Sequence, residues 1–85
     1  MLRISVVKAP DEAITLRLEG QVRGPWVEAL RTSCEQLLTS GSELTLDLAE
    51  VSFIDLDGVA LCRRLRDREV AFLHCSPFVA EQLGG

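Results

Sequence analysis

Along the first residues apolar and polar positions alternate: Leu2, Ile4 and Val6 interleave with Arg3 and Ser5. A period of two is what a half-buried strand requires, because successive side chains point to opposite sides of the pleat. The cluster Ala9-Pro10-Asp11-Glu12 reads as a turn. The alternation then resumes, with Ile14, Leu16 and Leu18 against Thr15, Arg17 and Glu19. Two such runs across a short turn predict an antiparallel pair, with Gly20 ending the second strand.

The period then changes. From Gly24-Pro25 one stripe runs through Trp26, Leu30, Ser33 and Leu37, widened by Val27, Cys34 and Leu38. That is helical spacing, and proline suits a first helical position because its missing N–H costs nothing there. Trp26 is expected to pack in the core. Glu28, Arg31 and Glu35 lie on the other side, at spacings that allow weak ion pairs. Ser40-Gly41-Ser42 stops the helix. Leu44 to Leu48 alternates again, and apolar residues continue at 51, 53 and 54. Asp55-Leu56-Asp57-Gly58 leads into a second helix over 57–68. Val59, Leu61, Cys62 and Leu65 face inward there, and Arg63, Arg64, Arg66 and Arg68 occupy the rest. A fourth strand is predicted over Val70 to Cys75. Ser76-Pro77 opens a short last helix carrying Phe78, Val79 and Leu83. The order is β-β-α-β-α-β-α. Strand–helix–strand crossovers pair parallel and right-handed. The pattern therefore predicts an α/β fold, a mixed four-stranded sheet flanked by helices. The helices at 25–39 and 57–68 should lie side by side on one face.

Eighty-five residues make a single domain, 1–85. A hydrophobic share of 47% excludes a disordered or low-complexity chain. Thirteen acids against nine bases, a net charge of −4, argue against a nucleic-acid binder, which needs excess Lys and Arg. No apolar run approaches the ~20 residues of a membrane span. Met1-Leu2-Arg3-Ile4 lacks the apolar core of a signal peptide, so a cytoplasmic protein without membrane insertion is expected. Cys34, Cys62 and Cys75 form no C-x-x-C pair and read as free thiols. His74-Cys75, with the distant Cys34 and Cys62, is a weak ligand set, so no metal and no cofactor are expected.

The stretch Leu46-Asp47-Leu48-Ala49-Glu50-Val51-Ser52-Phe53-Ile54-Asp55-Leu56-Asp57-Gly58-Val59-Ala60-Leu61 resembles the signature of the STAS family. These are anti-sigma factor antagonists and their relatives in sulfate transporters. In that family a strand of the form L-D-L leads into V-x-F-x-D-S-S-G-L and a helix. Gly20 also fits a family glycine at the end of the second strand. The resemblance implies a STAS-like fold and a bacterial regulator without catalysis. It further implies a protein partner, typically an anti-sigma factor with a kinase-like ATPase fold. In partner-switching antagonists the serine before the motif glycine is phosphorylated. Here that phosphoacceptor-equivalent position is Asp57, and the preceding serine position is Leu56. Phe53, Asp55 and Gly58 match. Ser52 matches a different family position.

Asp57-Gly58 stands where a loop enters a helix, and there unpaired N–H groups and the helix dipole favour an anion. A phosphoserine carries about −1.5 to −2 charges, and aspartate a fixed −1. Asp57 therefore reads either as a phosphomimic or as a helix N-cap. Nothing in the helical pattern demands an apolar Leu56, which is expected to be exposed. Phe53, Asp55, Leu56, Asp57 and Gly58 are the candidate partner-binding residues. Arg63 and Arg64 are a candidate anion patch, against a solvated helix face balanced by Asp67 and Glu69. The pairs Asp47/Asp55 and Asp55/Asp57 lack a nucleophile or a phosphate loop, and His74 reads as structural. The expectation is a non-enzymatic protein-binding regulator. The alternative is a small-molecule or nucleotide-binding STAS-type domain, or an accessory subunit of a membrane transporter.

Overall fold

The structure, a computed structural model, describes residues 2–8 and 13–83. Strands β1 (Leu2–Lys8), β2 (Ile14–Val22), β3 (Leu44–Ile54) and β4 (Ala71–Leu73) alternate with helices α1 (Pro25–Thr39), α2 (Leu56–Asp67) and α3 (Pro77–Gln82) in the predicted order. The turn predicted at 9–12 lies outside the described residues. The strands stand side by side in chain order. β1 pairs antiparallel with β2, from Leu2 opposite Gly20 to Lys8 opposite Ile14. β2–β3 and β3–β4 are parallel.

The alternation decides which face is covered. Leu16, Leu18, Leu46 and Leu48 are fully buried and share one core with Leu30 and Cys34 of α1, Cys62 and Leu65 of α2 and Val79 of α3. All three helices thus cover the leucine face. Thr15, Arg17, Thr45 and Asp47 point the other way, into an uncovered polar face. α1 and α2 lie together, linked at their far ends by an ion pair between Glu35 and Arg68. Glu35 thus pairs across helices, while Glu28 and Arg31 pair along α1.

Four expectations are corrected. Gly20 does not end β2. The strand runs on to Val22, with register irregularities between Arg17 and Glu19 and between Gly20 and Gln21. Each irregularity is stitched by a β3 side chain: the Asp47 carboxylate accepts the Ala49 N–H at 3.0 Å, and the Ser52 hydroxyl donates to the Gly20 carbonyl at 3.2 Å. These supply partners that the interrupted ladder lacks. β4 keeps only three of the six residues expected. Val70 is used to close α2, and His74 leaves the strand at φ 58°. Trp26 is 37% exposed, at the margin of the core, because the buried stripe of α1 centres on Leu30 and Cys34. The second helix begins at Leu56, one residue early.

Both long helices end in the same closure. The Ser42 N–H reaches the Leu37 carbonyl at 3.2 Å and the Gly41 N–H reaches Leu38 at 3.1 Å. In α2 the Val70 N–H reaches Leu65 at 3.1 Å and the Glu69 N–H reaches Arg66 at 3.0 Å. This motif places its pivot residue in the left-handed region. Gly41 adopts it at φ 83°, and Glu69 does so at φ 66° despite its side chain.

Candidate functional site

Val22 and Ile54 pair at the carboxyl ends of two parallel strands, and each strand then feeds a helix. The starts of α1 and α2 therefore lie side by side. Asp55 holds them there. One carboxylate oxygen accepts the Gly58 N–H at 2.7 Å and the other accepts the Gly24 N–H at 2.9 Å, while the Asp55 N–H donates to the Val22 carbonyl at 3.0 Å. The N–H of Gly24, then that of Gly58, and the nearby Arg23 charge hold the Asp55 carboxyl below its ordinary value. Hydrogen bonds to the ionised form act in that direction.

The capping role considered for Asp57 accordingly belongs to Asp55, the N-cap of α2. Asp57 is the second residue of the helix, exposed and without an ion pair among the described residues. Gly58 faces the end of the sheet. A Cβ built there meets Ile54 Cγ2 at 2.7 Å, the Val22 carbonyl oxygen at 2.9 Å and Val22 Cγ1 at 3.1 Å. Only glycine lets the helix approach the strand ends this closely.

Leu56, the first residue of α2, is 87% exposed, as the helical pattern predicted. Phe53 is 37% exposed. With Trp26, two residues beyond the tethered Gly24, these apolar groups lie at the same end of the domain. Asp57 lines the groove between the helices together with Glu28 and Arg31 of α1 and Arg64 of α2. Arg63 is not part of that groove. Its Nε donates to the Leu83 carbonyl at 3.3 Å, and it lines a separate pocket with Arg66. The pair Arg63/Arg64 is thus divided between two sides of α2.

Asp47 and Asp55 are not brought together. Asp47 lies mid-strand opposite Arg17 and Leu73, on the open face, and its carboxylate is 3.1 Å from the His74 Nδ1. Its carboxyl is held low, first by the Ala49 N–H and next by His74. Asp55 spends both carboxylate oxygens on hydrogen bonds within the fold, whereas the Ala49 and His74 contacts of Asp47 share its Oδ1. Among the described residues no group of three or more His, Cys, Asp or Glu converges as a metal site. At this end of the domain the exposed Leu56 stands beside the exposed carboxylate of Asp57.

The family model described as the Mlab STAS domain matches residues 5–83. The chain belongs to the STAS family. No curated protein sequence matches it. Among solved structures, the anti-sigma factor antagonist SpoIIAA in its unphosphorylated form superposes with a TM-score of 0.74 at 23% identity, over 93% of this chain and 79% of that one. The antisigma-factor antagonist STAS domain from Rhodobacter sphaeroides gives 0.55 at 15% identity, over 87% of each chain. A DUF3478-family protein with a SpoIIAA-like fold from Shewanella loihica gives 0.61 at 15% identity, over 91% of this chain and 69% of that one. Within this STAS domain, the tie from Asp55 to Gly24 spans 31 residues and leaves no local sequence signal. The grouping of Arg63 with Arg66 was legible in principle, since residues three apart share a helix face.

Proposed function

We propose that this STAS domain is a non-enzymatic regulatory module that binds a protein partner through Phe53, Leu56 and Asp57, on a platform built by Asp55 and Gly58. The observation that carries this reading is Leu56, a leucine 87% exposed on the first turn of α2. A large apolar side chain held out from a rigid helix start gains its burial only against another molecule. Asp57 adds a fixed negative charge one residue along. Neither residue bears a hydroxyl, so the surface is not switched by phosphorylation at the family's usual position.

A second reading has the same surface serving a standing association, as an accessory subunit of a membrane transporter. The lack of an acceptor hydroxyl at 56 and 57 favours it, because a permanent interface needs no phosphate switch. Affinity capture from native lysate with the wild type and with Leu56→Asp tests both. Retention of a kinase-like ATPase by the wild type alone supports the antagonist reading, and retention of a transporter ATPase alone supports the second. Equal retention of the same proteins by both forms refutes the surface. With a kinase-like partner, Asp57→Ser adds a further readout. Tighter binding, followed by phosphorylation and release with ATP, identifies Asp57 as a phosphomimic; a change below about 0.5 kcal/mol refutes that role.

A further inference from the structure

On the side of α2 away from the Asp57 groove, α2, β4 and α3 border an open pocket of ≈ 160 Å³. Its walls are Cys62, Phe72, Cys75, Ala80 and Leu83, and they are almost wholly apolar. Arg63 and Arg66, one helical turn apart and both exposed, complete the lining. We propose that this pocket binds a small monoanion with a compact apolar body, such as an aryl or branched-alkyl carboxylate.

Size sets the body of the ligand. A volume of about 150 Å³ is enough to accept a benzene ring, and here the open side leaves room for a charged head in water. Charge sets the head. Neither Arg63 nor Arg66 forms an ion pair among the described residues. The Arg63 Nε donates to the Leu83 carbonyl at 3.3 Å, which orients its guanidinium at the pocket and leaves the terminal nitrogens to donate elsewhere. Guanidinium groups match carboxylates in shape as well as charge. The two thiols do not compete, since burial pushes Cys62 up to about 11 and raises Cys75 as well, leaving both neutral near pH 7. The site is independent of the partner surface: Cys62, Arg63 and Arg66 lie on one side of α2, and Asp57, Ala60, Leu61 and Arg64 on the other.

The test is a backbone amide NMR titration of the full chain with benzoate, with benzyl alcohol and acetate as controls. Benzoate should give saturable shifts at residues 62–66, 72, 75, 80 and 83, with a Kd of about 1–5 mM. Acetate lacks the ring and benzyl alcohol lacks the charge, and each should bind about tenfold more weakly. Arg66→Gln should weaken benzoate about fivefold and leave benzyl alcohol unchanged, a readout that a merely misfolded variant cannot give. Ala80→Phe, checked for an unchanged thermal midpoint, should abolish binding of both; if that variant unfolds, Arg66→Gln alone decides. Leu56→Asp should leave benzoate binding intact, which separates this site from the partner surface. The proposal is overturned by an absence of saturable shifts, by shifts centred on the Asp57 groove, or by equal affinity for benzoate and benzyl alcohol.

Discussion

Asp55 ties the starts of α1 and α2 together beneath the proposed partner surface, and its two hydrogen bonds can be removed separately. In Asp55→Asn one oxygen still caps the Gly58 N–H, but the amide nitrogen then faces the Gly24 N–H, donor against donor. In Asp55→Ala both bonds are lost. Losing an aspartate N-cap costs about 1 kcal/mol, within a range of 0.5–2. A second hydrogen bond to a charged acceptor, lost at the exposed Gly24 N–H that water can then reach, adds about 0.5–1 kcal/mol. Asparagine should therefore cost about 0.5–1 kcal/mol and alanine about 1.5–2. A domain of this length has a total stability of about 4–13 kcal/mol, so both variants should still fold. At about 4–8 °C per kcal/mol, alanine should lower the thermal midpoint by about 6–16 °C. Urea unfolding at pH 7, followed by far-ultraviolet circular dichroism, reads these differences directly. The pH dependence supplies a check of sign. The folded carboxyl titrates below its unfolded value of about 3.9, so its contribution is complete above that pH and is lost as pH falls through the folded value. The gap between wild type and Asp55→Asn should close in that acid window and stay constant above pH 5. Asp57→Ala should cost under about 0.5 kcal/mol. An Asp57→Ala penalty equal to that of Asp55→Ala would refute the assignment of the cap, and a gap that widened in acid would refute the bonding.

Gly58→Ala should destabilise by about 1–2 kcal/mol in chemical denaturation, despite alanine's higher helix propensity, because Ile54 is fully buried and the Val22 carbonyl is backbone; a stabilised variant would show that the helix can shift. Glu69→Gly should stabilise the domain by about 0.5–1 kcal/mol and so raise its thermal midpoint, since glycine relieves the φ of 66° that the end of α2 requires; no gain would mean that the glutamate is held without strain. Titration with a thiol reagent under non-reducing, denaturing conditions should count all three cysteines, and in the folded protein Cys75 should react ahead of Cys34 and Cys62, which are buried. A count of one would reveal a disulfide.

The sequence by itself determined the order of elements, the inward leucines and the helix stripes, because periods of 2 and 3.6 are local properties of the backbone. Ser40-Gly41-Ser42 and Ser76-Pro77 likewise carry their meaning within a few residues, and the structure uses both as read. The motif around Phe53, Asp55 and Gly58 pointed to the right family. What a single chain position could not carry was the choice among neighbours. Both Asp55 and Asp57 are good capping types, and the decision fell to Asp55 because its second oxygen meets Gly24, a partner set only when β2 and β3 pair. Gly20 looked like a terminator, yet β3 continues beside it and supplies the Ser52 hydroxyl, so the strand persists. Val70 looked like the start of β4, but closing α2 over Leu65 claimed it first. Arg63 and Arg64 are adjacent along the chain, and α2 turns about 100° between them. Once both flanks of that helix are occupied, by α1 on one side and by β4 and α3 on the other, the two charges belong to different surfaces. Long-range pairing decided each of these cases, because it sets which hydrogen-bond partner or which neighbour comes within reach.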